Sequence, residues 1–355
     1  MINKVAVLGA GYMGSAITFP LSDNGIDVNL WGTWLDDELI QSSLNGFHPR
    51  LKKPLNENVN LFYSRDLKKA IEDVYTFFIA VTSEGFADIF KLLADNLEKD
   101  KKYCFFKLTK GLVEYEGNIM RATEAASIIY GKTFTCPDNS SRNKIKITSV
   151  GGPVRAVDLS CRTPSATVYG ISDKTIEGML PCFSTDYYRI FPTNDLQGVE
   201  ICSTFKNIYS IAAGICDGLY KEWMEGSYYN ILAFLFNQAL LEIIKIVEAA
   251  GGKKETAIGL AGAGDLHVTS AAGRNRRFGE LIGKGMDSEH AFMKMAKEGE
   301  HGEGFMALKL ALPWLKKFDF DFKKELPLLF ALDAIVFKCA DAKEELKNTV
   351  LKLGI

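Results

Sequence analysis

The sequence predicts an α/β N-terminal domain followed by an all-α C-terminal domain. From the N-terminus to about Phe191, short apolar runs alternate with helical patterns, which is typical of a parallel sheet covered by helices. After about Asp195 the strand signals stop and only helical periods follow. The chain of 355 residues is also longer than one core usually serves. We therefore expect two domains, residues 1–194 and 195–355.

Seven apolar runs in the first half are predicted as strands of a parallel sheet. The runs at 75–81 and 103–107 are nearly continuous in apolar character, as expected when helices cover both faces of a sheet. The seven runs span residues 4–8, 28–31, 75–81, 103–107, 145–150, 166–169 and 187–191.

The second half shows the apolar spacing of helices throughout. In the first of these helices, Lys206 and Asn207 lie on the polar side, opposite a stripe of apolar residues. The predicted helices span residues 200–219, 228–250, 276–283, 288–298 and 305 to the end of the chain.

The most apolar stretch of the chain, residues 228–250, is predicted to be a buried helix of the second domain. Polar and charged residues interrupt it, so we expect no membrane span. The interrupting residues of the apolar stretch are Asn237, Gln238, Glu242 and Lys245.

A second stretch, residues 137–143, is polar and rich in turn-forming residues, which predicts a surface loop.

Composition indicates an ordinary globular protein of a reducing compartment. The chain is 47% hydrophobic and 24% charged, with a net charge of −2, so it has ample material for a core and no basic footprint for nucleic acid. Its seven cysteines are scattered without a C-x-x-C pair, which predicts free thiols and no metal site. The N-terminus lacks the pattern of a secretory signal. We therefore expect a cytoplasmic protein.

A glycine-rich loop directly follows the first predicted strand. Residues 9–14 read Gly-Ala-Gly-Tyr-Met-Gly, and a helical pattern follows them, which is the context of a dinucleotide-binding loop. Gly9 allows the tight turn, Gly11 lets the backbone approach a pyrophosphate, and Gly14 permits close packing of helix on strand. The backbone of Tyr12 and Met13 opens the helix, whose N-terminus stabilises phosphate charge.

The end of the second strand leaves the choice between NAD and NADP open. A ribose-binding acid is expected there, but the strand ends in Trp31-Gly32-Thr33 with no Asp or Glu. Thr33, Trp34 and Arg50 are the candidate contacts at the adenosine end of the cofactor.

Two lysines are candidates for chemistry on a substrate carbonyl, whose oxygen gains negative charge as hydride arrives. Lys110 follows the strand at 103–107, at the sheet edge where ligands of open α/β sheets gather. Lys206 lies in the first helix of the second half. A solvated surface lysine is the ordinary alternative for each.

Two further segments point to an anionic substrate. Residues 259–266 place three glycines next to the single acid Asp265, and Gly273 follows, so the backbone can approach a ligand closely. Residues 274–277 read Arg-Asn-Arg-Arg at a predicted helix start, which can hold a phosphate through charge-assisted hydrogen bonds. In the first half, Gly152-Pro153 predicts a helix with proline at its first position, facing the same sheet edge as Lys110.

In this order, these motifs resemble the NAD(P)-dependent glycerol-3-phosphate dehydrogenase family, in its prokaryotic and archaeal branch. The resemblance covers almost the whole chain and includes Gly302-Glu303-Gly304. It implies a Rossmann domain followed by a helical domain like the C-terminal domain of 6-phosphogluconate dehydrogenase, with the active site in the cleft between them. It further implies NAD or NADP as cofactor, dihydroxyacetone phosphate and glycerol 3-phosphate as substrates, and a homodimer.

The resemblance also implies roles for individual residues. Lys206 is expected to be the general acid and base, Asp265 to orient it, and Lys110 to hold substrate beside the nicotinamide. The expected substrate contacts are Lys110, Gly152, Lys206, Asn207, Asp265, Thr269, Gly273, Arg274 and Asn275. The expected cofactor contacts are Gly9, Gly11, Tyr12, Met13, Gly14, Thr33, Lys110, Ala156, Arg274 and Glu303.

Four positions depart from the family pattern, and two alternative functions remain. Val154 replaces a hydroxyl residue and Arg155 an apolar one, Gly302 stands where the family has Val before Glu-Gly, and Gly273 stands where a small hydroxyl residue is common. A β-hydroxyacid or ketopantoate-type reductase would explain the fold and Lys206, but it would leave the arginine cluster at Arg274 without a substrate phosphate to bind. A dinucleotide-binding sensor or assembly subunit would need no pair of Lys206 and Asp265.

Overall fold

The computed structural model describes residues 2–134, 145–221, 228–300 and 302–352, and it divides the chain into two compact units. Unit 1 is Met1–Leu196 and unit 2 is Gln197–Ile355. The loop predicted at 137–143, with Cys136, lies outside the described residues. The other six cysteines are free thiols, as predicted.

Unit 1 is an α/β domain in which helices cover both faces of an eight-stranded sheet, and the predicted fold class is confirmed. Its strands are β1 (Lys4–Leu8), β2 (Asp27–Trp31), β3 (Val59–Phe62), β4 (Thr76–Ile79), β5 (Cys104–Lys107), β6 (Leu112–Tyr115), β7 (Asn118–Arg121), β8 (Lys146–Gly151), β9 (Ser165–Ile171) and β10 (Tyr188–Thr193). Its helices are α1 (Tyr12–Asp23), α2 (Asp37–Leu44), α3 (Leu67–Ile71), α4 (Ser83–Asp95), α5 (Ala122–Thr133) and α6 (Ala156–Ser160).

The order of the strands places a crevice beside β1. The sheet runs β10-β9-β8-β5-β4-β1-β2-β3, and the strands from β8 to β3 are parallel. From β1 the chain continues to β2 on one side, whereas β4 pairs with β1 on the other side. The strand order therefore reverses between β1 and β4, and ligands of such sheets bind at the carboxyl ends of the strands at this point.

The prediction of a wholly parallel sheet is wrong at β9. This strand runs antiparallel to β8, and β10 is parallel to β9. The helix between β8 and β9 is α6, which has only five residues and spans about 7.5 Å. Since a parallel crossover has to return along the whole length of the strands, α6 is too short to provide it.

The sequence analysis missed three strands. β3 has four residues and lies at the edge of the sheet, so its apolar signal is short. β6 and β7 form a separate antiparallel hairpin with a two-residue turn, Glu116-Gly117. Both turn residues have positive φ, 51° and 73°. This is the geometry of a tight hairpin turn, so the Glu-Gly pair between two short apolar runs is a signal that could have located it.

Aromatic side chains fill both faces of the sheet. Phe78 and Phe106 stack on one face with ring centroids 4.8 Å apart, and Phe183 meets both rings edge-on. On the other face, Phe90 packs edge-on against Phe105 with centroids 5.1 Å apart. This burial on both faces explains the continuous apolar runs of β4 and β5.

Unit 2 contains only helices among its described residues, as predicted. The longest, α7, extends four residues further toward the N-terminus than the sequence pattern indicated. The helices are α7 (Leu196–Tyr220), α8 (Tyr229–Ala249), α9 (Lys254–Ile258), α10 (Asp265–Ala271), α11 (Arg274–Gly283), α12 (Ser288–Lys297), α13 (Glu303–Leu315), α14 (Phe322–Glu325), α15 (Pro327–Lys338) and α16 (Ala342–Lys352).

Helix α7 is buried on all sides in its central part, including the side predicted to be polar. Ser203 and Ser210 satisfy their hydroxyls within the helix, on the carbonyls of Val199 (2.8 Å) and Asn207 (2.9 Å). Lys206 is only 4% exposed. The ordinary alternative of a solvated surface lysine is therefore wrong for Lys206.

The crossing of α7 and α11 is very close because glycines form it. A Cβ on Gly279 of α11 would lie 2.1 Å from the carbonyl oxygen of Ile211, and one on Gly214 of α7 would lie 1.9 Å from that of Arg276. Real Cβ contacts are never this short, so only glycine permits the two backbones to meet. The start of α11 is thereby held beside the middle of α7.

Helix α8 is half-buried, not fully buried as predicted. It is long and apolar enough to cross a membrane by length and composition, and 39% of its most apolar 18-residue window is buried. Core helices of soluble proteins pass the same test, so this is weak evidence for a span. Two of the predicted interruptions, Gln238 and Glu242, are buried, because a hydrogen-bond network satisfies them.

Glu242 organises this network at the start of α15. Its two carboxylate oxygens accept hydrogen bonds from the backbone N–H groups of Leu328 (2.7 Å) and Leu329 (2.9 Å), and from the Tyr209 hydroxyl (2.8 Å). The side chain is fully buried, and burial raises its pKa. The carboxylate supplies the acceptors that the first N–H groups of α15 lack within the helix.

We expect Glu242→Ala to lower the free energy of unfolding by roughly 2–4 kcal/mol, because it leaves buried donors without acceptors. Glu242→Gln keeps one oxygen acceptor, so its loss should be smaller. Glu248→Ala on the exposed side of α8 is the control, with an expected change within about 0.5 kcal/mol. Chemical denaturation measures all three. Equal stability of the two Ala variants would contradict the role of Glu242.

Candidate active site

The glycine loop of unit 1, residues 9–14, has the geometry of an anion-binding helix start. Gly9 has a φ of +100°, which L side chains rarely adopt. A Cβ on Gly14 would lie 1.8 Å from the carbonyl oxygen of Gly9, so only glycine fits there. Helix α1 begins at Tyr12, and its first N–H groups, including that of Met13, have no partner within the helix.

The loop after β2 contains an acid that the sequence analysis missed. Asp36 is buried, and its Oδ2 accepts hydrogen bonds from the backbone N–H of Thr33 (3.0 Å) and from the Thr33 hydroxyl (2.9 Å). The same oxygen accepts from the backbone N–H of Ala10 in the glycine loop (3.2 Å). The sequence analysis looked for a ribose-binding acid at the end of the strand, up to Thr33, and Asp36 lies three residues beyond that position.

The other two candidates for the adenosine end differ in exposure and position. The Trp34 side chain is largely exposed. Arg50 lies over the ring of Tyr12, 5.6 Å from its centroid, and its Nη1 is 3.3 Å from where a Cβ on Gly11 would be. The guanidinium of Arg50 is therefore next to the glycine loop.

Lys110 lies at the carboxyl edge of the sheet, as predicted. It follows β5 and stands between Thr109 and Gly111, whose φ is +118°. The Thr109 hydroxyl donates to the carbonyl of Val81 beyond the end of β4 (2.8 Å), and the buried Lys107 donates to the carbonyl of Thr109 (2.7 Å). The backbone on which Lys110 is mounted is thus fixed from both sides.

The segment after β8 corrects one prediction. Helix α6 begins at Ala156, so Pro153 is not its first residue. Gly152 has a φ of +121°, and the backbone N–H of Val154 bonds back to the Gly152 carbonyl (2.8 Å). This turn delays the start of the helix by three residues. Gly152 and Ala156 nevertheless lie at the carboxyl end of β8, on the same edge as Lys110.

In unit 2, Lys206 is paired with Asp265. The Lys206 ammonium group donates a charge-assisted hydrogen bond to Oδ1 of Asp265 and another hydrogen bond, of 3.0 Å, to the Thr269 hydroxyl. The Asp265 side chain is only 2% exposed. Three predicted site residues are therefore in direct contact, and the two charged side chains, Lys206 and Asp265, are almost completely removed from water.

A wide helical turn delivers Asp265 to this position. The segment Leu260–Gly264 winds with a hydrogen bond from the N–H of Gly264 to the carbonyl of Gly259 (3.1 Å), five residues apart. A Cβ on Gly262 would lie 1.9 Å from the carbonyl oxygen of Ala257, so this turn packs directly on α9. Wide turns of this kind are frequent at functional sites. Asp265 is the first residue of α10, which follows at once.

Glu303 links two of the other predicted residues. Its carboxylate accepts from the side-chain amide of Asn207 (3.2 Å) and from the Arg274 guanidinium (2.8 Å). Next to it, Asn275 accepts a hydrogen bond from the N–H of Gly304 (2.8 Å). The start of α13, the start of α11 and the middle of α7 therefore meet at one place in unit 2.

The Arg-Asn-Arg-Arg cluster is divided among separate partners. Arg276 forms a two-pronged ion pair with Asp217, and Arg277 pairs with Glu298 and, at 2.7 Å, with Glu300. Arg274, in its pair with Glu303, is about one-third exposed. Of the three arginines, Arg274 is thus the one on the side of Lys206 and Asn207.

Unit 2 therefore brings together most of the predicted substrate residues. Gly273 differs, because it is exposed and no side or main chain comes within 4 Å of where its Cβ would be. Its φ of +131° allows the turn into α11. Hydrogen bonds join Lys206, Asp265 and Thr269 in one set and Asn207, Arg274 and Glu303 in a second, and Asn275 bonds to the backbone of Gly304 beside the second set.

Comparisons with known proteins show which family the chain is similar to. Family models for the N-terminus and the C-terminus of NAD-dependent glycerol-3-phosphate dehydrogenase match residues 4–177 and 195–347. The chain is 32% identical over 297 residues to the NADP(+)-dependent glycerol-3-phosphate dehydrogenase of Archaeoglobus fulgidus, covering 83% of this chain and 84% of that protein. It is 34% identical over 292 residues to the glycerol-3-phosphate dehydrogenase (NAD(P)+) of Carboxydothermus hydrogenoformans, covering 81% and 80%.

The crystal structure of glycerol-3-phosphate dehydrogenase from Coxiella burnetii superposes with a TM-score of 0.82 at 27% identity, covering 98% of each chain. The two family models describe this dehydrogenase, not the β-hydroxyacid or ketopantoate-type reductases that the sequence left as an alternative. The chain belongs to the NAD-dependent glycerol-3-phosphate dehydrogenase family.

Proposed function

We propose that the chain catalyses the reversible NAD(P)H-dependent reduction of dihydroxyacetone phosphate to sn-glycerol 3-phosphate. The observation that carries this proposal is the buried contact of Lys206 with Asp265 and Thr269 in the same unit as the partly exposed Arg274. A proton donor for a carbonyl oxygen and a cation for a phosphate are the two groups that this reaction requires.

The residues of the glycine loop fit a dinucleotide. Two observations support a contact with pyrophosphate: only glycine fits at Gly9 and Gly14, and the first N–H groups of α1, at Tyr12 and Met13, have no partner within the helix. Gly11 has no side chain, so a pyrophosphate can approach its backbone closely. When bound, the reduced nicotinamide supplies the hydride. The further cofactor contacts that we propose are Thr33, Lys110, Ala156, Arg274 and Glu303.

We propose that either NAD or NADP serves, with Thr33, Trp34 and Arg50 at the adenosine end. The Thr33 hydroxyl already donates its hydrogen bond to Asp36, so it is not available to a 2′-phosphate. Arg50, which lies over Tyr12, is the cation that we propose for a 2′-phosphate.

In the reductive direction, Lys206 gives the proton of its ammonium group to the substrate oxygen, and in the oxidative direction it takes the proton back. A positioned acid of this kind typically contributes 10²- to 10⁴-fold to a rate. Asp265 orients the amine in a site where both side chains are almost fully buried. Thr269 holds the amine from a second side and is proposed to bind a substrate hydroxyl together with Asn207.

Arg274 and Asn275 are proposed to bind the substrate phosphate at the start of α11. A helix N-terminus and a guanidinium both favour an anion there. Binding energy from this remote group positions the small ketone for reaction. Lys110, Gly152 and Gly273 complete the proposed substrate contacts.

We further propose that residues 1–194 are the cofactor domain and 195–355 the substrate domain, and that the enzyme is a cytoplasmic homodimer. The division of the chain into two compact units between Leu196 and Gln197 supports the proposed domain boundary. Apolar side chains left exposed on α8, such as Leu241 at 47%, support self-association.

The direct test of the reaction is a spectrophotometric assay of NADH and NADPH oxidation against dihydroxyacetone phosphate and a panel of other ketones. We expect turnover with dihydroxyacetone phosphate to exceed that with unphosphorylated ketones and with 2-oxoacids. Preference for a 2-oxoacid would favour the alternative reductase, and oxidation of neither cofactor with any ketone would contradict an enzymatic role.

We expect Lys206→Met to lower kcat by about 10²- to 10⁴-fold, because no other group in the pair can donate the proton. Binding of NADH, measured by fluorescence titration, should persist. This substitution leaves the Asp265 carboxylate buried without its cation, which by itself destabilises a fold. The double variant Lys206→Met, Asp265→Asn removes both charges and controls for folding. If the double variant folds and turns over at the normal rate, Lys206 is not the acid.

We expect Arg274→Ala to raise KM for dihydroxyacetone phosphate by roughly 10- to 100-fold, because a charge-assisted bond to phosphate is lost. KM for unphosphorylated dihydroxyacetone should not change. Arg277→Ala is the matched control, since that arginine is similarly exposed but pairs with Glu298 and Glu300. An equal rise in KM for both substrates would count against phosphate binding by Arg274.

Light scattering tests the proposed dimer. The expected particle contains two chains of 39.3 kDa at micromolar concentration. A mass of one chain across the concentration range would show that the homodimer is wrong.

A further inference from the structure

The two peptide groups that flank Ala10 in the glycine loop are held by side chains from outside the loop. Asp36 accepts from the N–H of Ala10 at 3.2 Å. On the other side, the Ala10 carbonyl accepts from the Ser15 hydroxyl at 3.0 Å and has the Nε2 atom of His48 at 3.3 Å. We define Asp36, Ser15 and His48 as the Ala10 clamp.

The hydrogen bonds of His48 determine which of its ring nitrogens carries the proton. Nδ1 accepts from the backbone N–H of Leu51 at 3.1 Å, so the proton of the neutral ring is on Nε2. The Ser15 hydroxyl already donates to Ala10, so it accepts from Nε2–H at 2.9 Å. His48 is 1% exposed, and burial, with the charge of Arg50, lowers its pKa. A neutral, singly protonated ring satisfies all of these contacts.

The clamp holds the part of the glycine loop whose backbone has the greatest conformational freedom. Ala10 stands between Gly9 and Gly11, and glycine loses more conformational freedom on ordering than any other residue. A loop that is ordered before its ligand arrives does not lose that entropy on binding, so the affinity is higher. Side chains that fix the peptides on both sides of Ala10 therefore act on binding of the pyrophosphate, although none of them has to touch it.

We propose that Asp36 and His48 are positioning residues for the cofactor, which act by holding the Ala10 peptides in the conformation that binds pyrophosphate. The inference rests on the proposed cofactor site at the glycine loop. Both residues lie outside the glycine pattern, and both are buried and form hydrogen bonds to backbone or hydroxyl groups of unit 1.

Two substitutions at His48 separate this role from local support of the turn at 48–51. His48→Gln keeps a donor at the position of Nε2 but lacks the acceptor for Leu51. His48→Asn keeps an acceptor near the position of Nδ1 but does not reach Ser15 or Ala10. We expect His48→Asn to raise Kd and KM for NADH by roughly five- to tenfold with kcat unchanged, and His48→Gln to remain within about twofold of the native enzyme.

A parallel pair at Asp36 tests the other side of the clamp. Asp36→Asn retains an oxygen that can accept from Ala10 and Thr33, whereas Asp36→Ala retains none. We expect the Ala variant to raise Kd for NADH by about tenfold and the Asn variant to recover most of the affinity. The thermal unfolding midpoint of each variant is recorded alongside, because a purely structural role would lower it without changing Kd.

ADP-ribose is titrated in parallel, because it contains the pyrophosphate but no nicotinamide and requires no turnover. The clamp predicts the same losses for ADP-ribose as for NADH. If the native enzyme binds neither ligand, the proposed cofactor site itself is wrong. If it binds both, and His48→Asn and Asp36→Ala bind them as tightly, the site stands and the clamp is overturned. Tighter binding by His48→Asn than by His48→Gln would likewise overturn it.

Discussion

The buried ion pair of Lys206 and Asp265 is the constraint on which unit 2 depends. Both side chains are 5% exposed or less, and removing each charge from water costs several kcal/mol unless a partner is held in good geometry. The pair therefore requires that α10 stay fixed against α7, and Thr269 adds a second contact to the amine. In the proposed mechanism the same desolvation favours proton transfer from the amine, because electrostatic interactions with fixed partners are stronger in a site with little water.

Glycines explain how unit 2 meets this requirement. The crossing at Gly214 and Gly279 brings the backbones of α7 and α11 into contact, and a Cβ on Gly304 would lie 2.4 Å from the carbonyl oxygen of Asn207. The starts of α11 and α13 are therefore fixed relative to Asn207, and their first residues, Arg274 and Glu303, lie within hydrogen-bond distance of each other. Small residues in the helices thus set the positions of the charged ones.

The sequence predicted the elements with strong periodic signals and the residues with specialised chemistry. β1 was predicted at its exact bounds, and the contacts of Lys206, Asp265 and Thr269 join residues that the family resemblance had grouped. What it missed depends on tertiary context. The antiparallel β9 follows from the short length of α6, which no local pattern revealed, and Pro153 stands outside the helix because a turn at Gly152 delays its start.

Asp36 and His48 show the same limit at the candidate site. Their sequence positions match no spacing rule, because each reaches the glycine loop through a different connection, one after β2 and one beyond α2.

The anion sites proposed for the two units differ in their physical basis, and this difference affects how substitutions should act. In unit 1 the proposed pyrophosphate contacts are backbone N–H groups, so side chains such as Asp36 and His48 contribute by fixing the backbone. In unit 2 the charged groups are side chains themselves, each held by an opposite charge such as Glu303 on Arg274. Changes around the glycine loop should therefore act through cofactor affinity and leave the chemical step intact. A substitution of a charged residue in unit 2 leaves its ion-pair partner without an opposite charge. Such substitutions should therefore change both the activity and the free energy of unfolding.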